Sequence, residues 1–242
     1  MSFLLDLIFA AVIIGMVLVW WNHAVSTSLF SLLSLFLSLT LAFFLSIPLS
    51  APVVDGVLGP GIRASAANDL ADLFSAPHLS SGEETVAQLS FDQMLREAPA
   101  PFVEVLESYG ADLEQVRESY AASPEPETVL REVTDGFAAA LSRSLCFAVL
   151  WVALGILIKL ITRRIEGNMR PPARLRGLKR AIPPLVALAA AVVVIWGMSL
   201  PLRWMLPYLV AQDILFSETT LDSSFFYHFL NFLNPFARLL SL

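Results

Sequence analysis

Apolar and polar positions fall in long blocks along this chain, not in the short alternations of a soluble fold. Residues 1 to 21 are apolar apart from Ser2, Asp6 and Gly15, close to the ~20 residues a helix needs to cross ~30 Å of hydrocarbon. No basic stretch precedes the run and no small-residue cleavage site closes it, so it predicts a retained span, about 3–21, rather than a signal peptide. Trp20, Trp21, Asn22 and His23 interrupt it with residues that favour a membrane interface. A second span, about 27–47, ends at Pro48. A third covers 144–162 and a fourth 182–202, the latter opened by Pro183 and Pro184, where first-turn amides lack helical partners anyway. The pattern predicts an all-α membrane protein with four transmembrane helices and a large helical insertion between the second and third.

The insertion, residues 48–143, shows helical periodicity only in pieces. Two prolines and three glycines in APVVDGVLGPGIR predict a loop. Helices are expected from about Ser65 to Phe74, from Ser81 to Arg96 with a Ser81/Glu84 capping box, from Pro101 to Tyr109 and from Asp112 to Ala122. A fifth is expected from Glu125, running on through Val129, Val133 and Phe137 into the third span. In the fourth span Pro201 and Pro207 should bend or end the helix, with Arg203, Trp204 and Tyr208 as interfacial anchors. The tail, 211–242, reads as an amphipathic interfacial helix or as an apolar partner for the insertion.

Charge orients these blocks. The chain is 57% hydrophobic and 15% charged, against about 25% charged in an ordinary soluble domain. Residues 48–143 hold 16 acids and five arginines, whereas residues 159–180 hold eight bases and one acid, Glu166. Arg163, Arg164, Arg170, Arg174, Arg176, Lys179 and Arg180 crowd the short loop 163–180, where the positive-inside rule applies. That loop is therefore expected in the cytoplasm, with both termini and the acidic region outside. Nucleic acid is not an expected partner, because anionic headgroups would neutralise the loop and no stacking aromatics interleave it.

Candidate chemistry is sparse. Thr27, Ser31, Ser34 and Ser38 share one helical face in the second span and are candidates for helix packing or for lining a pore. Asp6 reads as a carboxylate near the headgroups, and Lys159 as an amine that snorkels to them. The single cysteine, Cys146, excludes an intrachain disulfide, and His23, His78 and His228 are scattered. No phosphate loop, GxSxG, HExxH or CxxC occurs. No enzyme, metal or cofactor is expected.

Several stretches resemble the CvpA family, the colicin V production proteins, in the long version of Gram-positive gut bacteria. These are the opening FLLDLIFAAVII, the second span LFSLLSLFLSLTLAFFLSIPLS, the middle FDQMLREAPAPFVEVLESYGADLEQV, the third span GILIKLITRRI and the closing ETTLDSSFFYHFLNFLNPFARLL. The resemblance implies a multipass protein of the bacterial cytoplasmic membrane, tied to toxin production or export and to envelope homeostasis. The expected role is a non-enzymatic scaffold or partner-binding component, with an oligomeric channel or small transporter along the Ser/Thr face as the alternative. Expected partners are the lipid bilayer, further copies of the chain and another envelope protein.

Overall fold

A computed structural model describes residues 2–20, 25–75, 89–166, 182–211, 224 and 234–236. Helices are the only regular structure among the described residues: α1 (Ser2–Trp20), α2 (Val25–Val53), a π-helical turn (Val54–Leu58), α3 (Gly59–Ser75), α4 (Phe91–Glu97), α5 (Ala100–Ser108), α6 (Leu113–Ala122), α7 (Pro126–Glu166) and α8 (Ile182–Ala211). Among the described residues three stretches are long and apolar enough to cross a membrane: Leu29–Leu73, Pro126–Ile165 and Ile182–Leu209. Phe9–Leu18 forms a shorter apolar helix. The chain divides into two compact units. One holds Met1–Pro48, Ser144–Trp204 and Phe216–Leu242; the other holds Leu49–Arg143 and Met205–Leu215.

The loop expected over 51–63 is instead helix. Gly59 donates its N–H to Val54 O, five residues back, which makes room for one extra residue in the turn. A β-carbon at Gly59 would lie 2.5 Å from that same carbonyl oxygen, so only glycine fits. Pro60, which has no N–H to give, follows where the ladder has already slipped out of register. The prolines and glycines thus mark a widened turn within a helix, not a break.

In the acidic unit, short helices are set by their caps. Ser90 Oγ accepts from Gln93 N–H while Gln93 Oε1 accepts from Ser90 N–H, a reciprocal box that starts α4 at Phe91, not at Ser81. The Ser81/Glu84 pair lies outside the described residues. Gly110, at φ +71°, turns the chain after α5. Asp112 accepts from Glu114 N–H to open α6. Arg117 donates to Leu95 O at 2.7 Å and so satisfies a carbonyl at the end of α4. Leu70, Leu89, Met94, Leu95, Phe102, Leu106, Val116, Val129 and Val133 form the core of this unit.

In the apolar unit, α2, α7 and α8 enclose Leu39, Ala42, Phe43, Phe147, Val193 and Leu200, joined by Phe236 from the tail. Phe236 stands 5.2 Å from Phe43, ring to ring. That part of the tail packs in the apolar unit, not on the acidic helices, because its rings meet α2. Trp204, expected at the interface, stacks on Phe43 at 6.3 Å and meets Phe147 edge-on at 5.6 Å. Tyr208, expected beside it as an anchor, packs in the acidic unit against Gly110 and Gly136. Helix α8 passes through Pro201 and Pro207 to Ala211. Ser199 donates its hydroxyl to Trp196 O within α8, and Ser144 of α7 donates to Pro201 O, which ties the two helices beside the proline.

Candidate functional site

Polar groups inside an apolar helical unit are costly unless paired, so they are the first place to look for function. On α2, Ser34 donates to Phe30 O at 2.7 Å and Ser38 to Leu35 O at 2.8 Å, and both are buried. Ser31, on the same face, is half-buried; Thr27 is helical, and its side chain lies outside the described residues. A β-carbon on Gly155 of α7 would lie 3.9 Å from Ser38 Oγ, so the stripe meets a neighbouring helix at a glycine. Ser34 and Ser38 each bond to their own helix, which leaves their acceptor lone pairs but not their protons for anything else.

A second polar group, which sequence periodicity missed, ties the tail to this unit. Asn234 is fully buried; its Nδ2 donates to Ser199 Oγ at 3.1 Å and its Oδ1 accepts from Phe236 N–H at 3.1 Å. Ser224, also fully buried, donates to the Asp6 carboxylate at 2.6 Å. Asp6 is therefore hydrogen-bonded within the unit. An amide next to a proline in an apolar tail and a serine two residues before Pro201 were the available signals.

Of the basic residues, Arg163 and Arg164 close α7 and are exposed, as is Lys159 one turn earlier. Arg170, Arg174, Arg176, Lys179 and Arg180 lie outside the described residues, as do His23, His78 and His228.

The acidic unit has a cavity of 270 Å³ walled by Tyr109, Asp112, Glu132, Asp135, Gly136 and Tyr208. Its carboxylates are committed: Asp112 caps α6, Glu132 accepts from Gln115 at 2.8 Å, and Asp135 holds Arg63 at 2.8 Å and Arg131 at 3.4 Å. Tyr109 donates to Asp69 at 2.7 Å. Burial, and then the neighbouring Asp69 carboxylate, pushes the Tyr109 hydroxyl up to about 12. Among the described residues no group of three His, Cys, Asp or Glu could hold a metal. Against known proteins the chain matches no family model, no curated protein and no solved structure.

Proposed function

We propose that this chain is a non-enzymatic integral membrane protein of the bacterial cell envelope. It crosses the membrane four times and holds an acidic helical domain outside, as a scaffold or docking component for a partner. Its resemblance to the colicin V production proteins points to toxin production or export, or to envelope homeostasis, as the setting. The observation that carries this reading is the order of chemistry along α7. Its first part bears Glu127, Glu132 and Asp135 beside Arg131 and Arg143, residues 144–162 carry no charge but Lys159 near the end, and Arg163 and Arg164 close it. Residues 144–163 are twenty residues of unbroken helix, about 30 Å at 1.5 Å per residue, which matches the ~30 Å of hydrocarbon. In keeping with this, the end of α8, from Met205, belongs to the compact unit that holds the acidic helices.

The test is cysteine accessibility in a Cys146→Ala background. Glu104→Cys should react with an impermeant maleimide from the medium of intact cells, and Arg174→Cys only after permeabilisation. The opposite pattern overturns the reading. Ser34→Leu separates packing from conduction. In a packing stripe it lowers assembly and thermal stability; in a pore it abolishes flux while assembly survives.

A further inference from the structure

Helix α7 is the least covered of the three long apolar helices: only 6% of its span window is buried, against 33% and 50% for the other two. Its bare side is not uniform. At 100° per residue, Leu145, Val149, Val152, Ile156, Leu160, Lys159 and Arg163 fall in one stripe. All are exposed, whereas Phe147 and Ile158 on the other side are buried. Five aliphatic residues make up the stripe, with two cations four residues apart flanking the last of them, Leu160, at its end. From Leu145 to Arg163 the stripe advances 18 residue steps, about 27 Å. None of the ion pairs among the described residues involves Lys159, Arg163 or Arg164.

An aliphatic track ending in two adjacent cations has the chemistry of a phospholipid's complement: acyl chains along the track, a phosphate at its end. A zwitterionic headgroup brings its own cation to that end and gains little there. An acidic headgroup brings net negative charge, and attraction of bases to an anionic membrane surface is worth about 1 kcal/mol each. We propose that this face of α7 is a binding site for an acidic phospholipid of the leaflet at the Arg163 end, with Lys159 and Arg163 holding the phosphate. The inference rests on α7 crossing a bilayer.

The purified full-length chain, titrated with phosphatidylglycerol or with phosphatidylcholine of the same acyl chains and followed by native mass spectrometry, tests it. Phosphatidylglycerol should be retained preferentially. Lys159→Gln and Arg163→Gln should each weaken its retention about fivefold, while Lys159→Arg keeps it. The double variant Arg174→Gln/Arg176→Gln should lose less than the double variant at 159 and 163. Equal retention of the two lipids, a larger loss at 174 and 176, or equal capture of glycerol phosphate lacking acyl chains would each overturn the site. Carbonate washing of reconstituted vesicles separates two kinds of failure. A chain stripped from both lipids sinks the spanning reading and the site with it; a chain retained in both without lipid preference sinks the site alone.

Discussion

The indole of Trp151 in α7 lies against the backbone of Gly197 in α8, so that a β-carbon on Gly197 would come within 2.7 Å of the ring carbon Cζ2. Replacing Gly197 with Ala forces the ring out of a packed site. The expected cost is about 1–3 kcal/mol, as for other overpacked cores, read as a lowered thermal midpoint in detergent. Trp151→Phe in the same chain should recover part of it; no recovery would mean that the contact is not the cause.

Gly59 and Gly61 are close in sequence and opposite in expectation. A β-carbon at Gly59 meets the Val54 carbonyl, whereas at Gly61 it meets nothing within 4 Å. Gly59→Ala should therefore destabilise, by about 1–3 kcal/mol. Gly61→Ala, in a helix with room for the methyl, should stabilise by about 0.5–1 kcal/mol. Denaturant titration of the two variants compares them directly, and equal signs would contradict the π-turn geometry.

Tyr109 carries a pH signature. Its hydroxyl is raised from the usual 10 to about 12, chiefly by burial and then by Asp69. A group whose folded pKa is raised contributes stability fully present below the unfolded pKa. That contribution is lost as pH rises from 10 through about 12. Asp69→Asn should lower the midpoint below 12 yet leave it above 10, because burial remains. The difference in 295 nm absorbance titrations between each chain and its Tyr109→Phe counterpart isolates this residue, and an unmoved midpoint would count against the Asp69 contact.

Asn234 holds Ser199 and the Phe236 amide at once. Asn234→Ala leaves both without that partner in a buried place, at about 1–3 kcal/mol for each unmet group. Limited proteolysis should then release the tail sooner than in the parent chain. Unchanged cleavage would show that the amide does not anchor it.

Helix boundaries in the acidic unit could be read from local chemistry: Gly110, Asp112 and Ser123 each act within a turn of the residue they cap, so sequence spacing carries the signal. Where the reading missed, the reason is equally local or wholly remote. Pro48, Pro52 and Pro60 were weighed as breakers by residue type, whereas the helix absorbs Pro60 by slipping one hydrogen bond at Gly59. The partners Asp6 and Ser224 are 218 residues apart and leave no periodic trace. Of the hydroxyl stripe, both the shared face and the capacity to bond back to the helix's own carbonyls were legible, as Ser34 does to Phe30 four residues back; that Ser38 turns to Leu35, three back, is set by rotamer and neighbour.

The contact between Phe43 and Phe236 also has a timetable. The two rings are 193 residues apart in the chain, and at a ribosome's 5–20 residues per second the second follows the first by about 10–40 s. Throughout that interval the seam beside Phe43 stands open, and the early helices gain this contact only when the last aromatic arrives to close it.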